Sequence, residues 1–249
     1  MGIRSPDEAI TAGEYARLAN SLIEKIKNRG MNPIICGGSG LYYRAVVKGI
    51  IKEGKSDIRI RKRLEKEYSI NGKNALWEKL FRVDPKYSNI VHPNNQKRLL
   101  RALEIFEITG EIPSEHYKKQ NRLIKNNFDI FTVFLTFPLK DLEIRIRDRV
   151  RAMLQNGWVQ EVIALKKEFQ NIHLYPLDSI GYQQILDYLN HKLSYEKMVD
   201  KICLRTRQYA RKQIQWFMNE PYDLKLNLSN DGNNILQIDK ILKEWNNSI

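Results

Sequence analysis

Pro33-Ile34-Ile35-Cys36-Gly37-Gly38-Ser39-Gly40-Leu41-Tyr42-Tyr43-Arg44-Ala45-Val46-Val47 is the stretch from which the fold is read. Pro33 to Cys36 is a short apolar run of the kind that forms a buried strand. Gly37 to Gly40 turn the chain, and Leu41 to Val47 has helical character. Upstream, Thr11-Ala12-Gly13-Glu14 has capping-box spacing, in which the Thr hydroxyl and the Glu carboxylate each satisfy an orphan N–H. Tyr15, Leu18, Ala19, Leu22, Ile23 and Ile26 then share one helical face, and Gly30 is the expected stop. Helix, buried strand, glycine-rich turn and helix together predict α/β layering.

Working outward, the pattern changes at Asp57. Helices are expected over Asp57 to Tyr68, Asn74 to Phe81 and Asn95 to Thr109, the last closed by Gly110, with no strand pattern between them. Phe128 to Thr136 is β-rich, so the core resumes there. Helices follow over Leu139 to Asn156, Val159 to Phe169, Tyr182 to Leu189 and Ser194 to Met218. A polar, Asn-rich stretch from Glu220 leads to an amphipathic piece near Ile235 to Trp245. The expected organisation is a discontinuous α/β core, residues 1–56 and 126–249, around an all-helical insert, residues 57–125.

Composition narrows the function classes. The 249 residues hold 42 Lys+Arg and 29 Asp+Glu, a net charge of +13, with 2 Cys and 4 His. Cys36 and Cys203 make neither a disulfide framework nor a CxxC pair. No apolar run approaches the ~18 residues of a membrane span, and MGIRSPDEAIT lacks the pattern of a signal peptide. A soluble, cytoplasmic protein is expected, a monomer that does not bind membranes. Excess Lys and Arg attracts phosphate backbones and releases their counterions.

The glycine-rich turn suits an anion, since glycine lets backbone N–H groups approach a phosphate and a helix N-terminus adds a positive dipole end. The alternative is that a tight strand-to-helix turn needs glycine in any case. No GxxxxGK[ST] occurs in the chain, so this is not a Walker loop. Basic side chains recur at helical spacing on three expected helices. They are Lys97, Arg98 and Arg101; Arg145 and Arg149; and Arg205, Arg207, Arg211 and Lys212. One such face is ordinarily just solvated, whereas three in a chain of this charge favour a polyanion groove read by guanidinium forks. No Ser–His–Asp order and no metal-ligand spacing of His is present. The residues themselves define a phosphate-handling α/β protein with a basic, nucleic-acid-facing surface, and they leave the reaction open.

Five stretches, in order, resemble the tRNA dimethylallyltransferases (tRNA isopentenyltransferases). Pro33 to Gly49 is similar to the family's "GGTGLY…AL…GL". Val83-Asp84-Pro85 with His92 to Glu104 resembles "DP…HPND.QR..RALE". Arg145-Ile146 with Arg149, Met153, Gly157 and Glu161-Val162 matches "RI..R…M…G…EV". Ser179 to Tyr182 matches "IGY", and Thr206 to Trp216 resembles "TRQYAKRQ.TW". The resemblance implies a P-loop-NTPase-like core with a helical insert. It implies transfer of a dimethylallyl group from dimethylallyl diphosphate to the N6 amine of the adenosine 3′ of the anticodon in tRNA, with the base extruded into the pocket and Mg²⁺ neutralising the leaving diphosphate.

Residue roles follow from the same resemblance. Ser39, where the family usually has Thr, and Arg149 take the catalytic positions, and Gly37, Gly38, Ser39, Arg145 and Arg149 would bind the diphosphate. Arg61, Lys97 (where Gln is usual), Arg98, Arg101, Asp178 and Gln183 (where a basic residue is usual) fall on tRNA-facing positions. Arg207 and Arg211 join them from the basic helix face. No metal ligands are assigned. The family's first strand, its "GPT.SGKT" loop and the aspartate serving as general base have no counterpart in the chain. The core is therefore expected to be N-terminally incomplete, with an unpaired sheet edge and little turnover by this chain alone. A non-catalytic tRNA-binding remnant is the alternative reading.

Overall fold

The computed structural model describes residues 3–49, 57–123, 128–170, 172–228 and 234–248. Contacts divide the chain into two compact units. One comprises Met1–Thr11, Ile35–Gly40 and Phe128–Ile249, the other Ala12–Ile34 and Leu41–Asn127. The boundaries expected from the sequence, at 56/57 and 125/126, fall in or beside the undescribed stretches 50–56 and 124–127.

Helices α1 (Ala12–Lys27) and α2 (Gly40–Val47) open the chain. Only part of the apolar face of α1 is buried: Ala16 and Ile23 are enclosed, while Leu18 and Leu22 stay exposed. Tyr15 of α1 stacks on Tyr42 of α2 with centroids 4.6 Å apart. The stretch Pro33 to Cys36 between them corrects the expected buried strand. It takes no regular secondary structure and is unpaired, and Ile34 and Ile35 are 87% and 52% exposed. A strand is defined by a hydrogen-bonded neighbour, and the sheet of the described residues does not include this run.

The helical stretch that follows matches its sequence signals closely. Helix α3 (Ile58–Val83) starts at Asp57, whose side chain accepts from the Arg59 N–H, and is broken at Gly72, which takes φ 78°. Expecting two helices on either side of that glycine was therefore sound. The short α4 (Pro85–Ser88) is followed by α5 (Gln96–Thr109), which is capped by Asn95 and ends at Gly110 in the left-handed region. Helix α6 (Pro113–Leu123) is an element the sequence reading did not separate. Leu64, Leu76, Leu80, Val91, Leu99, Leu100, Ala102 and Leu103 form the core of this unit. Burial of each such leucine contributes about 1.5–3 kcal/mol. The Trp77 indole N–H is shared between the Ser88 and Val91 carbonyls at 3.2 and 3.1 Å, tying α3 to the turn after α4.

Asp84 holds two helix starts at once. One carboxylate oxygen accepts from the Tyr87 N–H at 2.9 Å, and the other from the Ser114 N–H at 2.6 Å, thirty residues away. It is 2% exposed. Pro85 at the first turn has no N–H to orphan.

In the other unit, β1 (Val133–Thr136) and β2 (Leu224–Asn227) pair in parallel, with Val133 opposite Leu224 and Thr136 opposite Asn227. The Asp223 carboxylate extends the pairing by accepting the Thr132 N–H at 2.6 Å. Parallel pairing requires a crossover. Here it runs through α7 (Leu139–Gln155), α8 (Trp158–Glu168), a 3₁₀ turn (Tyr175–Asp178), α9 (Tyr182–Leu189) and α10 (Tyr195–Phe217). Helix α11 (Asn234–Ser248) ends the described chain. The α/β expectation is met by a mostly helical architecture with one two-stranded parallel sheet, in which β2 sits inside the stretch read as polar. Ile146, Val150, Trp158, Val162, Ile185, Met198 and Ile202 form the core of the crossover helices. Gly181, of the IGY match, takes φ 95°, and a methyl group added there would run into the Trp158 ring.

Asp84→Ala removes both caps and leaves two helix-start N–H groups without their carboxylate. A loss of about 1–4 kcal/mol is expected at roughly 0.5–2 kcal/mol per cap, read as a fall in the urea midpoint at constant m-value. Asp84→Asn keeps one acceptor oxygen and should lose about half as much.

Candidate functional site: a glycine loop held by one helix

Gly37-Gly38-Ser39-Gly40 runs directly into α2, as expected. Two of its glycines have a packing reason to lack a side chain. None of the three takes a positive φ. Gly38 and Gly40 are instead places of close approach to α10. The Gln213 side-chain Nε2 donates to the Gly38 carbonyl at 2.7 Å, and a methyl group added at Gly38 would run into that same amide. A methyl group at Gly40 would lie 2.5 Å from the Trp216 ring. Around Gly37 the space is open. Ser39 is exposed, and its hydroxyl has no hydrogen-bond partner among the described residues. Gln213 and Trp216 lay inside the Thr206 to Trp216 match but carried no assigned role. Their spacing of three puts both on one face of α10, which is the only sequence signal that pointed to them.

The arginines on α7 flank the face buried by Ile146 and Val150. Arg145 and Arg149 are both exposed. The Arg145 guanidinium lies 4.5 Å over the Phe137 ring. Arg149 has no ion pair or hydrogen bond among the described residues. On α10, Arg207 is committed to Glu143 of α7 at 3.1 Å, so it ties the two helices together, and its Nε is buried without a partner. Arg211 is exposed one turn further on, as are Arg205 and Lys212.

The other unit sorts its basic residues in the same way. Glu104 is 1% exposed. Arg101 reaches its carboxylate at 2.9 Å and Arg61 lies 3.9 Å from it, while Arg61 also donates to Glu65 at 3.2 Å. Lys97 and Arg98 project from the first turn of α5 and are exposed. Asp178 pairs with His173 at 3.1 Å, and Gln183 is exposed in the first turn of α9. Nearby, the Tyr182 hydroxyl donates to Glu161 at 2.7 Å. Burial, reinforced by Glu161, holds that hydroxyl above its usual pKa of 10, so it stays protonated at neutral pH. Among the described residues no group of three His, Cys, Asp or Glu could hold a metal ion, and no helix is long and apolar enough to cross a membrane.

The residues described so far are a glycine loop held by one helix and several exposed arginines in a chain of net charge +13. Comparison with known proteins identifies the family. Residues 1–220 match the model of the family described as IPP transferase. The chain is 37% identical over 221 residues to tRNA dimethylallyltransferase 1 of Trichlorobacter lovleyi, covering 89% of this chain and 72% of that one. It is 36% identical over 220 residues to the tRNA dimethylallyltransferase of Caldanaerobacter subterraneus subsp. tengcongensis, covering 87% and 70%.

Two solved structures resemble it along its whole length. The full-length tRNA isopentenylpyrophosphate transferase of Bacillus halodurans gives a TM-score of 0.64 at 28% identity, with 79% of that chain covered. A eukaryotic dimethylallyltransferase acting on tRNA gives 0.79 at 25% identity, with 65% covered. The chain belongs to the IPP transferase family.

Arg98 and Arg101 sit one turn apart, but their surroundings separate their roles. Arg101→Ala strips the buried Glu104 of its nearest cation and should cost about 3 kcal/mol of stability. Arg98→Ala should leave the thermal midpoint within a degree or two while weakening RNA binding. Melting curves and filter binding on the two single variants check both expectations.

Proposed function

We propose that the chain transfers a dimethylallyl group from dimethylallyl diphosphate to the N6 amine of the adenosine 3′-adjacent to the anticodon in tRNA. Membership of a family whose curated relatives are named tRNA dimethylallyltransferase carries this reading. The chain spans about seven tenths of the length of those two relatives.

In chemical terms the adenosine amine bonds to the first carbon of the prenyl group. The bond from that carbon to the diphosphate breaks, the diphosphate leaves with the electron pair, and the surplus amine proton passes to the departing diphosphate or to water. Charge therefore accumulates on the leaving oxygens, and donors aimed at them lower the barrier. The Gly37–Gly40 loop offers backbone N–H groups and the Ser39 hydroxyl, and Arg149 offers a guanidinium that no carboxylate among the described residues has claimed. Arg145 supports it from the same helix. Charge-assisted hydrogen bonds of this type contribute ~1.5–3 kcal/mol each. A Mg²⁺ carried in on the diphosphate would neutralise the same charge, with the Ser39 hydroxyl as the side-chain oxygen available to it in the loop. We further read the Gly37–Gly40 segment and the sheet as part of a P-loop-like core, and the α3 to α6 stretch as an inserted helical domain.

Lys97, Arg98 and Arg211 are the exposed cations we assign to tRNA phosphates. Arg61, Arg101 and Arg207 spend part of their charge on Glu65, Glu104 and Glu143, and we assign them weaker phosphate contacts. Asp178 and Gln183 stand at the remaining assigned tRNA positions.

The test supplies the chain with labelled dimethylallyl diphosphate, Mg²⁺ and unmodified tRNA, and quantifies prenylated adenosine by mass spectrometry. Slow formation of prenylated product is expected, in line with the little turnover expected from the sequence, with Arg149→Ala lowering kcat/KM for the donor by roughly tenfold to a hundredfold. Unchanged donor kinetics in that variant would remove Arg149 from the site. Salt-sensitive tRNA binding with no product at any donor concentration would favour the non-catalytic reading.

A further inference from the structure

We propose that Gln213 is a positioning residue for the Gly37–Gly40 loop, which turns the Ser39 N–H toward an incoming diphosphate by holding the Gly38 carbonyl against α10. The inference rests on the diphosphate reading of the loop and adds how the loop is made ready for its ligand.

The argument begins with one peptide plane. The Gly38 carbonyl and the Ser39 N–H belong to the same trans peptide unit, so they point in opposite directions. With the carbonyl drawn to Gln213 Nε2 at 2.7 Å, the Ser39 N–H faces away from α10. The residues on the N-terminal side of that plane are Gly37 and Gly38, which have the softest backbone torsions of any residue type. Without a tether the plane would rotate at small cost and could present a carbonyl, rather than an N–H, to an anion. Gln213 occupies the carbonyl and removes that alternative.

The chemistry at position 213 fits this task. Arg211 and Lys212 precede it, so another cation was close at hand in the sequence. A cation at 213 would compete with the loop for the diphosphate, whereas a neutral amide donates to the carbonyl and leaves the anion to the loop. Trp216, one turn on, covers Gly40 and closes the same side of the loop. The Ser39 hydroxyl has no partner among the described residues, so nothing there competes with a ligand for it.

Inorganic diphosphate titrated calorimetrically into the whole chain, with and without Mg²⁺, provides the test. It is run alongside hydrogen–deuterium exchange over residues 37–41. Gln213→Leu, which fills similar space without a donor, should weaken diphosphate binding about tenfold and speed exchange in this loop alone. The melting temperature and tRNA affinity should stay as in the unaltered chain. Gln213→Glu, near-isosteric but an acceptor, should be at least as impaired. Equal diphosphate affinity in all three proteins would overturn the inference, as would unchanged loop exchange. A parallel loss of tRNA affinity and melting temperature would also overturn it, by reducing Gln213 to general packing. If the unaltered chain binds no diphosphate, the diphosphate reading itself fails. Loop exchange in Gln213→Leu then still decides whether the tether exists.

Discussion

One hydrogen bond joins parts of the chain that are 175 residues apart: Gln213 on α10 to the Gly38 carbonyl. Around it the local design follows. Gly38 must lack a side chain because the amide is already there, and Gly40 must lack one because the Trp216 ring is there. The same helix is anchored to α7 by Arg207 and Glu143, and the α7 to α10 run is itself the crossover that parallel pairing of β1 and β2 demands. Position along α10 therefore decides how the loop is held.

Basic residues in this protein fall into two groups that composition cannot distinguish. Arg101 and Arg61 attend a buried carboxylate, and Arg207 bridges two helices. Lys97, Arg98, Arg149 and Arg211 are exposed. A buried carboxylate such as Glu104 must have a cation, since ionising it alone in the interior would be costly. That requirement turns some of the 42 cationic side chains inward, and the exposed remainder set the field at the surface.

Motif residues likewise divide between chemistry and architecture. Asp84 and Pro85 match a family motif, yet here the aspartate caps the starts of two helices and is almost fully enclosed. Gly181 of the IGY match lies where a left-handed backbone meets the Trp158 ring. Such positions build the scaffold of their own units.

What the sequence by itself determined is what short-range physics controls. Asn95 and Gly110 marked both ends of α5, and Gly72 marked the break in α3. Ser194 marked the start of α10, because caps and glycine torsions act within a turn of the chain. The family was legible too, since its motifs keep their order and spacing. Tertiary structure alone decided the rest. Pro33 to Cys36 has the composition of a strand but lies unpaired, because pairing depends on a neighbour elsewhere in the chain. Leu224 to Asn227 looks polar and became β2, because Thr132 to Thr136 lay alongside to receive its backbone. Gln213 acquired its role in the same way, from a carbonyl that folding brought within 2.7 Å.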